Sequence, residues 1–377
     1  ARFAASNARN LPYSAAQSAA HGMPRAEALK GITLNTAEIL GVAKRLGSIE
    51  AGKEATLFTA NGDILEIRTQ VKQMWIAGVK VSLDNRHNRL YKKYRNRPKP
   101  KKSTEEKHAV SNKLPEHLDL PGFYKKSTSV NGFPIVSSGK VSDYALKEAA
   151  YLVDHMIGHR QDIIDNMVKR NCRLVVMAHD EFTTQVPEHS KMTPAKFWDR
   201  RARGLGSSRT DPVASCAEEN LLCYPGDPYN TENIMIHEFA HAIHLNGIYD
   251  VDTTFDKRLG KTYKAAMAKG LWKSKYAANN KAEYWAEGVQ SWFNSNRPPD
   301  HDHNHIDTRE ELKEYDPGLA NLVGEIFGDT EWRYKRPSQR KSPGHLQGFD
   351  PLKTPIFKWP KELNDFYLKH IREQNKK

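Results

Sequence analysis

The chain has 377 residues, 38% of them hydrophobic, which is enough apolar material for two or three packed domains and too much for a fully disordered chain. Its longest uninterrupted apolar run, residues 174–178, spans five positions and excludes a transmembrane helix, and three cysteines exclude a disulfide scaffold. The net charge of +13 is concentrated: segments 86–107 and 332–377 carry +8 each, so the remaining chain is slightly acidic. Basicity placed this way marks a linker and a tail. Nucleic acid is not an expected partner, and weak contact with an acidic polymer is the most these two segments imply.

In chain order, residues 1–85 read as a small αβ piece. Ala28, Leu29, Ile32, Ala37 and Leu40 have helical spacing over 25–40, and Gly41 supplies a stop. Strands are predicted at 55–58, 64–67, 71–76 and 79–83. Residues 86–115, with Pro98, Pro100 and Pro115, read as an extended basic linker. From 116 to 335 the pattern is globular, with a long helix over 142–169, a strand over 172–178, a short strand over 220–224, and helices over 232–245 and 282–295. Residues 336–377 are expected to form a loosely packed basic tail. The fold class expected is α+β.

The wording "EALKGITLNTAEILGVAKRLGSIEAGKEATLFTANGDIL", followed by "VKQMWIAGVKV", resembles the C-terminal end of amidohydrolases of the imidazolonepropionase-like kind. The resemblance implies a last barrel helix and the strands of a flanking β-sandwich, the remnant of a larger upstream domain. Within 1–85 there is no His-x-His metal pair and no bridging lysine, so amidohydrolase activity from this chain is not expected.

The chemistry-bearing segment is Ile234-Met-Ile-His237-Glu238-Phe239-Ala240-His241. Residues four apart share a helix face, so His237 and His241 can ligate one ion, with Glu238 placed as general base for a water activated by it. Zinc used catalytically needs a third protein ligand and an open fourth position. Downstream, Glu283 and Glu287 also lie four apart on one helix, with Asn280 as a candidate N-cap; a capping-box role for Glu283 is the bland alternative.

His-Glu-x-x-His followed about forty residues later by Glu-aromatic-aromatic-Ala-Glu resembles the gluzincin-type metallopeptidase domain of anthrax lethal factor and the Pro-Pro endopeptidases. The resemblance implies a zincin-like domain holding one Zn2+, with Glu283 as third ligand and Glu287 supporting a ligand histidine. It also implies Tyr276, seven residues before Glu283, as oxyanion donor. In that family the substrate backbone pairs with a strand edge before the active-site helix, and 173–184 is the candidate here. The activity implied is zinc-dependent endopeptidase chemistry on a peptide or protein substrate. The alternatives are an inactive peptidase-like domain that binds peptides or acidic surface polymers, and a polyanion-binding protein with a structural metal.

Cys216 and Cys223, with six residues between them, are candidates for a short disulfide loop, which would imply an oxidising, extracellular or periplasmic location. Cys172 reads as a core residue and His244 as a supporting or surface histidine. The run Asp300-His-Asp-His-Asn-His305 reads as a solvated loop rather than a second metal site.

Overall fold

The structure, a computed structural model, describes residues 10–84, 89–91 and 108–374. The chain divides into two compact units, Ala1–Lys101 and Lys102–Lys377. Most of the expected basic linker lies outside the described residues. Among those described, no helix is long and apolar enough to cross a membrane.

The first unit has helices α1 (Leu11–Ala20), α2 (Arg25–Gly31) and α3 (Leu34–Ile39), then strands β1 (Leu57–Ala60), β2 (Val71–Ile76) and β3 (Val79–Val81). The single helix expected over 25–40 is broken at Ile32 and Thr33, where Gly31 and a β-branched pair weaken helix propensity. The three strands form an antiparallel sheet in the order β1-β2-β3. No strand forms at 64–67: the Asp63 carboxylate accepts from Leu65 N and holds the chain in a turn.

The second unit begins with the hairpin β4 (Lys126–Val130) and β5 (Phe133–Ser137), followed by α4 (Asp143–Ile157) and α5 (Gln161–Lys169). The long helix expected over 142–169 is thus two helices. Gly158 caps the first, and a Cβ there would lie 2.5 Å from the Asp154 carbonyl oxygen. Strand β6 (Arg173–Met177), α6 (Ala195–Arg201), β7 (Val213–Ala217) and the short α7 (Glu218–Leu221) come next. Helices α8 (Ile234–Ala242), α9 (Phe255–Ala268), α10 (Lys281–Trp292), α11 (Arg309–Tyr315), α12 (Pro317–Phe327) and α13 (Lys361–Gln374) complete the unit.

Its sheet runs β4-β5-β6-β7, antiparallel at the first pair and parallel at the other two. Alternation decides the two faces. Ile135, Leu174, Val176, Ala214 and Cys216 join the main core with α4, α5, α8, α10 and α12, while Val136, Val175, Met177, Val213 and Ala217 pack on the other side.

Four further expectations need correction. Strand β6 has a neighbour on each side, so 173–177 offers no free edge to a peptide. The free side falls instead at the segment around Leu205, which forms an antiparallel bridge with Ser215 of β7. The short strand expected over 220–224 is replaced by α7, because a short buried apolar run does not by itself distinguish helix from strand.

The Cys216–Cys223 disulfide does not form. All three cysteines are unbonded: Cys216 is buried in the core from β7, and Cys223 turns through a left-handed backbone (φ 56°) beyond α7, with its thiol 3.9 Å from the Asn220 carbonyl. The thiols therefore carry no argument for an oxidising compartment.

The tail is packed. Arg340 and His345 both reach the fully buried Glu148, at 2.7 Å each, and Leu346 and Phe357 are buried. Helix α13 lies against α6 through the Phe197–Tyr367 stack and the Lys196–Glu362 pair. Arg333 and Arg340 are held in internal ion pairs, which reduces the free positive charge of this segment.

Candidate metal centre

The site is built from two capped helices. Asn233 caps α8 by accepting from Ile236 N at 3.0 Å. Asn220 braces the same end, accepting from Ile234 N and donating to Asp227 and to the Tyr229 and Glu232 carbonyls. Asn280 caps α10, accepting from Ala282 N and Glu283 N at 2.9 and 3.0 Å. Glu283 does not fold back to complete a capping box, so its carboxylate is available to face α8.

His237, Glu238 and His241 place ligand atoms within 4.8 Å of one another. Glu283 joins them from α10, its Oε2 lying 3.0 Å from His237 Nε2 and 3.5 Å from His241 Nε2. Both histidines are buried, and Glu238 and Glu283 are half-buried. Burial alone would lower the His237 pKa, but Glu283, Glu238 and Glu287 around it raise it to about 10. Burial also raises Glu283, yet the two imidazoles hold it well below the usual carboxylate range. For Glu238 burial prevails over the pull of the same imidazoles, and its carboxyl is pushed up. Three carboxylates thus crowd two imidazoles in a buried site, an excess of negative charge that a divalent cation would neutralise. The donor set, two imidazole nitrogens and carboxylate oxygens, could hold a metal ion.

Behind the histidines, His237 Nδ1 meets Gln290 Oε1 at 2.7 Å. Glu287 is farther, 3.6 Å from the same nitrogen, and is shared with His303 at 3.5 Å and Asn296 Nδ2 at 3.0 Å. Tyr276 starts a short turn (Tyr276–Ala278), its N–H bonded to the Asp302 carbonyl at 2.8 Å and its ring centroid 6.3 Å from that of His237. Burial pushes its phenol up to about 12. The structure therefore brings His237, Glu238, His241, Tyr276, Glu283 and Glu287 together, and leaves Cys216 and Cys223 outside the site.

These residues open onto a cleft of about 960 Å³. Sequence reasoning missed much of its wall. His303, expected in a solvated loop, is buried, anchored on Asp300 at 2.9 Å, and stacks near Tyr276; His301 beside it is exposed as expected. His244 is buried between Phe255 and Trp285 rather than at the surface. Gly204 and Gly206 let the bridged segment press against α8. A Cβ at Gly204 would lie 3.2 Å from Glu238 Cγ, and one at Gly206 would lie 2.7 Å from His241 Cδ2. Leu205 exchanges both backbone bonds with Ser215, so the N–H and C=O groups of the two flanking glycines face the opposite way. Trp359 and Tyr367 line the cleft from the C-terminal segment. Behind the cleft, Gln290 was missed too, although it shares a helix face with Glu283 and Glu287 at i+7 and i+3.

Residues 2–83 match the model of the amidohydrolase family, a family of hydrolases, in agreement with the resemblance read in the first unit. No curated protein and no solved structure is significantly similar to the chain.

Proposed function

We propose that the second unit is a zinc-dependent endopeptidase. The observation that carries this reading is the convergence of His237, His241 and Glu283 beneath a cleft bordered by an outward-facing backbone edge at Gly204–Gly206. His237, His241 and Glu283 would hold the ion, leaving Glu238 free for proton transfer. Zinc bound there would supply Lewis-acid polarisation of the scissile carbonyl and a lowered pKa for the attacking water.

The protein's own groups account for the rest. Glu238, half-exposed to the cleft, takes the proton of the attacking water and returns it to the leaving nitrogen. Tyr276, kept protonated by burial, donates to the oxyanion as it develops. The glycine edge pairs with an extended peptide backbone, and glycine is required because a side chain would strike Ile234, Glu238 or His241. Amidohydrolase chemistry is not part of the proposal.

The test is digestion of a mixed peptide library by the zinc-loaded protein and by Glu238→Gln, with products read by mass spectrometry. Loss of a general base should slow cleavage by about 10²–10⁴-fold while zinc still binds at one equivalent. Equal cleavage by the two proteins, or none by the loaded wild type, would overturn the reading.

A further inference from the structure

Three arginines line the cleft, and two are already engaged. Arg297 is paired with Glu232 and Asp300. Arg200 donates to Asn364 and lies over the Trp359 and Tyr367 rings, 4.4 and 5.2 Å from their centroids. Arg201, at the C-terminal end of α6, is exposed into the cleft beside the phenols of Tyr229 and Tyr276 and forms no ion pair with a carboxylate among the described residues. A guanidinium that faces a substrate cleft without an internal acid is matched to a carboxylate by its charge and its paired donors.

The edge segment fixes where that carboxylate would come from along the peptide. The backbone leaves α6 extended at Ala202 (φ −133°, ψ 139°), bends at Arg203 and reaches Gly204 and Gly206, which stand opposite Glu238 and His241. Arg201 therefore precedes the glycine edge by three residues, at most roughly 10 Å along the chain and less because of the bend at Arg203. A peptide pairing antiparallel to this edge directs its C-terminal part towards Arg201.

We propose that Arg201 anchors a subsite for a carboxylate of the substrate, within three residues on the C-terminal side of the cleaved bond. This rests on the peptidase reading given above. An aspartate or glutamate side chain and a free C-terminal carboxylate offer the same chemistry, and the experiment separates them.

A peptide mixture with equal numbers of acidic and neutral sequences, prepared with free and with amidated C-termini, is applied to immobilised Glu238→Gln protein and the retained fraction sequenced. The same mixture is digested by wild-type protein. Retained and cleaved peptides should be enriched about ten-fold in carboxylates downstream of the paired segment. The enrichment should collapse when Arg201→Gln is introduced and survive in part with Arg201→Lys. Enrichment that persists in amidated peptides assigns the carboxylate to a side chain; enrichment confined to free termini assigns it to the chain end.

Arg201-dependent retention without any cleavage would sustain the subsite and defeat the peptidase. Cleavage with no acidic enrichment, or with one that Arg201→Gln leaves intact, would defeat the subsite alone.

Discussion

Gln290 Oε1 lies 2.7 Å from His237 Nδ1, and the rest of the Gln290 amide determines which atom carries the proton. Its nitrogen donates to Glu232 Oε2 and to the Asn233 carbonyl, so its oxygen must face the imidazole and Nδ1 must be the donor. Nε2, facing the Glu283 carboxylate at 3.0 Å, donates to it in the doubly protonated ring, and its proton is the one a metal ion would displace while Nδ1 keeps its own. Replacing Gln290 with leucine removes this constraint. Zinc affinity, read by competition with a chromophoric chelator, should fall about 10–100-fold. An unchanged affinity would show that Glu287, at 3.6 Å, is the effective support.

The two glycines of the edge segment should fail in different ways. A Cβ at Gly204 meets Ile234 Cγ2 at 2.4 Å and the Ser215 carbonyl oxygen at 3.0 Å, and neither can swing away freely. Gly204→Ala should therefore destabilise the fold by about 1–3 kcal/mol in urea unfolding. At Gly206 the new atom meets His241 Cδ2 and Cβ at 2.7 and 2.9 Å, so Gly206→Ala should displace the imidazole and weaken zinc binding more than it weakens the fold. Two variants with equal stability and equal zinc affinity would contradict this division.

Helices α8 and α10 were legible because a fixed spacing of chemistry-bearing residues coincides with helical periodicity, and at α10 with Asn280 as a cap; the Asn233 cap that starts α8 two residues later than expected was not. The cleft wall was not. Gly204 and Gly206 sit in no periodic pattern, and their meaning lies in atoms of α8 thirty or more residues away. The C-terminal segment reads as polar chain because its burial depends on Arg340 and His345 reaching Glu148, a contact 192 residues distant for Arg340. Cys216 and Cys223 have a spacing that permits a disulfide, but neighbouring secondary structure sends one thiol into the core and turns the other away. His303 had no signal apart from its histidine-rich run, which favours solvent on composition alone.

His244 is 1% exposed, and although its Nε2 is 3.2 Å from Asp256 Oδ1, neither ring nitrogen is in hydrogen-bonding geometry. Burial lowers its pKa from 6.5 to about 4. Above pH 6.5 the ring is neutral in both folded and unfolded chains and costs nothing. As pH falls from 6.5 towards 4 the unfolded chain takes up the proton first, so stability is lost, by about 3 kcal/mol in full. Asp227, pushed up to about 6 by burial, acts with the opposite sign in part of this range, since the folded form binds its proton first. The difference between the wild-type and His244→Phe stability curves removes that contribution. It should change steadily in favour of the variant below pH 6.5, and a flat difference would show that His244 is not held neutral.

Beneath the edge segment, Arg203 and Glu219 form an ion pair in which both side chains are fully buried, at 2.5 and 3.0 Å. Arg203 also donates to the Ala178 and Glu181 carbonyls, tying the segment before Gly204 to the end of β6. Each charge is tolerable only because the other is present. Arg203→Met leaves a buried carboxylate without its partner, and Glu219→Gln leaves a buried guanidinium; each should cost about 3–5 kcal/mol in urea unfolding. The double replacement Arg203→Met with Glu219→Leu removes both charges and should recover most of that loss. Its edge segment, having lost the tie to β6, should still cleave peptides more slowly than wild type. Additive losses in the double variant would mean that the pair is not energetically coupled.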